Sequence, residues 1–129
     1  MTSRPIGVLM LLEAATFATA SLIHFDVGIP LGFTTIAGEP FTGAAIPEAI
    51  IAGVLLGGAL ALLARPAGGW GLALTTTLFA LAGVIVGLSF ILRGSVSRPG
   101  DLVYHLTIFI VLLLTIGMLL TQAARPDGA

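Results

Sequence analysis

Residues 70–92, WGLALTTTLFALAGVIVGLSFIL, run without a single charged side chain. A hydrocarbon core about 30 Å thick is crossed by a helix of about 20 mainly apolar residues, so this stretch is long enough to span a bilayer. It lies between two breaks, Arg65-Pro66 and Arg93-Gly94. The same pattern recurs three times. Residues 6–25 follow Arg4-Pro5 and stop before Gly28-Ile29-Pro30. Residues 44–64 carry Pro47 in their opening turn, and residues 102–121 lie between Arg98-Pro99-Gly100 and Arg125-Pro126. The expected fold is all-α: an integral membrane four-helix bundle, threaded up-down-up-down with both termini on the same side. With no linker and no internal repeat, residues 1–129 form a single transmembrane domain.

Composition excludes the alternatives. The 129 residues are 57% hydrophobic and 9% charged, too few charges to cover a small water-soluble body, whose surface is large for its volume. The same numbers exclude disorder. A formal charge of -1 without lysine offers no polybasic surface to nucleic acid. The absence of cysteine removes disulfides, thiolate metal sites and cysteine nucleophiles together.

Four alternating spans put both termini and the Arg65–Gly69 turn on one side of the membrane and two longer connections on the other. Arg4, Arg65 and Arg125 on the first side outnumber Arg93 and Arg98 on the second, which favours cytoplasmic termini in a bacterial-type plasma membrane. Asp26, Glu39, Glu48 and Asp101 share the second side, against Asp127 on the first. Ala18-Thr19-Ala20 has the form of a signal-peptidase site. The single arginine before it, Glu13 within the apolar run and the length of that run favour a retained span.

The acidic side gathers the chemistry. His24 closes the first span, Glu48 opens the second, Arg93 closes the third, and Asp101, Tyr104 and His105 open the fourth. Convergence at one boundary is what a binding or active site requires. His24, Glu48, Asp101 and His105 are the candidate catalytic residues, with Glu13, Tyr104 and Arg93 as ligand contacts. Asp101 and His105, four apart, share a helix face, so the carboxylate can orient the imidazole. His24, Glu48 and His105 suit a divalent metal such as zinc or non-haem iron, although no close-spaced ligand motif lies on one helix. The two histidines, at similar depth on different helices, also suit the axial positions of a haem. Ordinary helix-end roles compete: Asp101 as an N-cap, Glu48 in a first turn and His24 in a last turn each complement the helix dipole. The connection between the first two spans carries Val27, Ile29, Leu31, Phe33, Ile36 and Phe41. It is expected either to fold over the site as a lid or to rest among lipid head groups.

Glu13 lies mid-span, eleven residues before His24 and on the same helix face. A carboxyl at that depth must face the bundle, neutral or exchanging a proton, with Thr76, Thr77 or Thr115 as hydrogen-bond partners. Gly53, Gly57 and Ala61 form one small-residue stripe, and Thr76, Ala80, Gly83 and Gly87 another. Such stripes pack helices within a chain or join two copies, so a homodimer through Gly53 and Gly57 is the second reading. Glu48 lies roughly opposite Gly57 around its helix, so the carboxylate and the stripe face different neighbours.

Ile46-Pro47-Glu48-Ala49-Ile50-Ile51-Ala52-Gly53-Val54-Leu55-Leu56 resembles the second helix of DoxX-like small membrane proteins, in which a glutamate precedes a Gly-Val-Leu-Leu run. The resemblance implies a compact four-helix bacterial membrane protein, sometimes linked to quinone or redox partners. Leu12-Glu13-Ala14 resembles the first helix of small multidrug resistance transporters, whose glutamate exchanges protons for cationic drugs; the aromatic wall of that family is replaced here by Gly, Ala and Leu. The leading expectation is a polar pocket at one membrane boundary that binds or acts on a small apolar ligand by acid–base or metal-assisted chemistry. Bis-His haem binding, proton-coupled transport through Glu13 and a structural subunit without chemistry are the alternatives.

Overall fold

The computed structural model describes residues 3–94 and 99–123, so Arg98, Arg125 and Asp127 of the charge count lie outside the described residues. The chain forms α1 (Ser3–His24), a two-stranded hairpin of β1 (Ile29–Pro30) and β2 (Thr35–Ile36), then α2 (Thr42–Ala64), α3 (Pro66–Leu92) and α4 (Pro99–Ala123). All four helices are long and apolar enough to cross a membrane. Each begins a few residues before the expected boundary because proline is tolerated, and even favoured, near a helix start. Pro66 opens α3, leaving Arg65 alone as the link from α2, and Pro47 lies inside α2 rather than at its opening.

The helices pack as a four-membered bundle in which α2 touches α1 and α3, and α4 touches α3 and, more sparsely, α1. Lipid gives helices no hydrophobic reason to associate, so close approach at small residues does much of the work. At Gly69 a side chain would collide with the Ala61 backbone, so glycine allows the first turn of α3 to cross the last turn of α2. Gly58 meets Thr76, and Gly83 meets Ile51, which uses the expected α3 stripe inside the chain. The α2 stripe is different. Gly53 and Gly57 face outward with no neighbouring atoms from other helices, which corrects the intramolecular reading of that stripe.

Phe17, Ile6, Met10, Leu55, Leu62, Leu112 and Leu119 fill the interior, while Leu12, Ile50, Leu60, Ile110 and Leu114 are exposed on the outside. An outer surface this apolar is stable against acyl chains and not against water. At one end Trp70 Nε1 donates to the Leu119 carbonyl across 2.8 Å, joining α3 to α4.

The connection after α1 does not lie over the bundle as a whole. Its hairpin is exposed, with Phe33 at the tip 88% exposed, and only its later part returns. The Glu39 amide donates to the Ile23 carbonyl and the Phe41 amide to the His24 carbonyl, tying that return to the end of α1. The full lid is therefore corrected to a short strap ending at Phe41. In an apolar medium the remaining hydrophobic residues have no need to turn inward.

Candidate functional site

His24 and Glu48 form the centre of the site. Ser21 Oγ donates to the Ala45 carbonyl at 2.7 Å, pinning the end of α1 beside the start of α2. One turn further along each helix, His24 Nδ1 lies 2.7 Å from Glu48 Oε2, with both side chains 6% exposed. One proton occupies that line. Whichever partner holds it, the other carboxyl oxygen, Oε1, has lone pairs only. Glu48 Oε1 is buried and meets no hydrogen-bond partner among the described residues, which leaves a polar atom unsatisfied at a cost.

Asp101 and His105 enter from α4. Asp101 Oδ1 lies 3.7 Å from His24 Nε2, within ion-pair range but too far for a hydrogen bond. Asp101 is the third residue of its helix, in the first turn, and not the expected N-cap. Its carboxylate does not orient His105 either. His105 Nδ1 lies 2.8 Å from the Asp101 backbone carbonyl, the acceptor one turn back, and the carboxylate turns to His24 instead. A carbonyl only accepts, so Nδ1 carries the hydrogen and Nε2 of the neutral ring presents a lone pair. That edge of the ring rests on Gly87, where an added Cβ would come within 2.7 Å of Nε2.

These four polar residues line one end of a cavity of about 350 Å³, walled mainly by Phe17, Phe41, Ile51, Val84 and Phe90. The Phe41 ring meets His24 edge-on, with centroids 6.0 Å apart. Apolar walls with a few convergent polar groups are the usual make-up of a small-molecule pocket. The groups have a common character: Glu48 Oε1, the Asp101 carboxylate and His105 Nε2 all accept hydrogen bonds. Among the described residues no arginine lines the cavity.

The other expected contacts are placed elsewhere. Tyr104 packs edge-on against Phe17 and His105, at centroid distances of 6.0 and 5.6 Å, and its hydroxyl points to Thr16 Oγ1 at 3.4 Å. It lines a second, more open groove of about 590 Å³ between α1, α4 and the strap. Arg93 is exposed at the end of α3 and lines neither hollow. Glu13 is 2% exposed and accepts a 2.5 Å hydrogen bond from Thr115 Oγ1, while Thr76 and Thr77 donate to the Ala73 carbonyl. It faces the bundle as expected but also lines neither hollow, so it is not a contact of this site.

Among the described residues no three His, Asp or Glu side chains converge to hold a metal ion, so His24, Glu48 and His105 do not form the expected ligand set. Each Nδ1 is engaged, by the Glu48 carboxyl and by the Asp101 carbonyl, so Nε2 is the nitrogen each ring has to offer, and the two Nε2 atoms face Asp101 and Gly87. Phe41 and Gly87 were not singled out as site residues from the sequence. The loop's apolar content pointed towards Phe41, and the α3 stripe contained Gly87. No family model, curated protein or solved structure matches the chain.

Proposed function

We propose that this chain is a bacterial-type plasma membrane protein, threaded up-down-up-down with cytoplasmic termini, that binds a small, largely apolar ligand in the cavity at its acidic end. The ligand presents a hydrogen-bond donor to Glu48, with His24 positioned to exchange a proton through the shared Nδ1–Oε2 line. Asp101 and His105 complete the polar end. The observation that carries this reading is Glu48 Oε1, a buried acceptor without a hydrogen-bond partner among the described residues, on a side chain that lines an apolar hollow large enough for a small molecule. A DoxX-like relationship belongs to the same proposal and rests on the Pro47-Glu48 segment, whose glutamate lines the cavity. Transport through Glu13 has less support, since that carboxyl lines neither hollow.

The test is solvent extraction and mass spectrometry of small molecules that co-purify with the protein, comparing wild type, Glu48→Gln and the outward-facing control Leu114→Ala. A near-stoichiometric species retained by wild type and control, and reduced at least fivefold in Glu48→Gln, is expected. Equal recovery from all three proteins, or no enriched species, refutes the reading. The outward stripe at Gly53 and Gly57 is assigned in the same proposal to a homodimer, because close-approach residues with no partner in their own chain are placed to meet a second copy.

A further inference from the structure

The cavity and the groove share two wall residues, His24 and Asp101. The 3.7 Å between His24 Nε2 and Asp101 Oδ1 is not closed by a hydrogen bond, so the partition between the hollows is a pair of side chains without a latch. From Leu12 to Ile23 the groove follows α1 for eleven residues, roughly 16 Å of helix, about half of a hydrocarbon core. That length suits an extended alkyl chain lying along α1.

The polarity of the groove is graded. Thr16 and Thr19 turn their hydroxyls to carbonyls of their own helix, at 2.8 Å each, so they place no demand on an alkyl chain beside them. The demand lies at the boundary end, where Asp101 and Glu39 line the groove and Glu48 lines the cavity beyond the partition. Asp101, Glu39 and, beyond the partition, Glu48 bring three carboxyl groups, and among the described residues no arginine lines either hollow, which disfavours an anionic head and favours one that donates.

We infer that the groove between α1 and α4 is a second binding site and lateral entrance, holding the tail of a single-chain amphiphile whose O–H or N–H head reaches the His24–Asp101 partition. This rests on the proposed ligand-binding role of the cavity and narrows its ligand class to long-chain alcohols or amines. The geometry lets the head pass from the leaflet to Glu48 while the chain stays in contact with lipid.

The experiment uses the full chain in phosphatidylcholine nanodiscs, with a dodecanol carrying a mid-chain diazirine as the long probe and a hexanol diazirine as the short one. Labelling is mapped by mass spectrometry. The long probe is expected to label the groove face of residues 12–23 and Tyr104 at least tenfold above the outward residues Ile110 and Leu114. Unlabelled dodecanol or dodecylamine competes, showing which donor head is preferred, and dodecanoate does not. Ala20→Trp, which fills the groove away from the cavity, removes long-probe labelling tenfold and spares short-probe labelling of the cavity. Ala15→Leu repeats the test should the tryptophan variant fail to fold. Groove labelling no stronger than that of Leu114, equal competition by dodecanoate, or indifference to both groove variants overturns the inference. Cavity labelling by the short probe under those results leaves the function reading standing. Absence of cavity labelling beside strong groove labelling counts against the cavity alone.

Discussion

Gly87→Ala probes the placement of His105 directly. An added Cβ would lie 2.7 Å from Nε2 and 2.9 Å from Cδ2 of His105, whereas ordinary contact begins near 3.4 Å, so the ring must retreat by about 0.7 Å. Its Nδ1 bond to the Asp101 carbonyl, now 2.8 Å, is stretched towards the 3.5 Å limit if the ring moves straight away. Losing one such bond costs about 1 kcal/mol, and overpacking adds about 1–3 kcal/mol. Against this, alanine stabilises a helix interior relative to glycine by about 1 kcal/mol. The net expectation is a loss of about 1–3 kcal/mol. In a His105→Ala background the obstacle is gone and the propensity gain alone remains, so the sign reverses to a gain of up to about 1 kcal/mol. Reversible unfolding of the four proteins in mixed micelles measures the cycle. An equal effect of Gly87→Ala in both backgrounds refutes the claim that the ring rests on Gly87.

Two further perturbations test other parts of the molecule. Thr115→Val leaves both oxygens of Glu13 without the hydroxyl donor and is expected to cost about 1 kcal/mol, within the range for interhelical bonds in membranes. Adding Glu13→Leu should recover that loss, and a Thr115→Val effect below about 0.3 kcal/mol in the same unfolding assay would remove the bond's importance. A Cβ added at Gly57 meets no atom of another helix within 4 Å, so Gly57→Leu should hold the stability of the single chain or raise it by up to about 1 kcal/mol, while sedimentation in detergent should show a shift from dimer to monomer. An unchanged dimer fraction would take the stripe out of the interface.

Four helices were legible in the sequence because apolar run length and proline or glycine punctuation are local signals, with boundaries displaced only where proline opens or enters a helix. The His24–Glu48 pair was legible as a convergence of span ends, although its 2.7 Å contact depends on how α1 and α2 rotate about their axes. Two readings failed for related reasons. Asp101 and His105 do share a helix face, but a backbone carbonyl one turn back competes with the carboxylate for the same imidazole nitrogen. Gly57 and Gly58 are adjacent and alike in sequence, yet helical rotation sends one outward and the other against Thr76, a choice fixed by neighbouring helices. Of the two readings of the apolar loop, the lid fails because burial of its hydrophobic residues is an expectation that belongs to water and lapses beside lipid.

Trp70 is the chain's one tryptophan, and its indole nitrogen is bound to the Leu119 carbonyl. It stands seventeen helical residues from Gly87, roughly 25 Å away from the cavity end. Intrinsic emission is therefore a native gauge of whether α3 and α4 remain seated at the remote end. Occupancy of the cavity should leave that colour and intensity alone, whereas loosening of the whole assembly should alter them, so local and global responses can be told apart without attaching a dye.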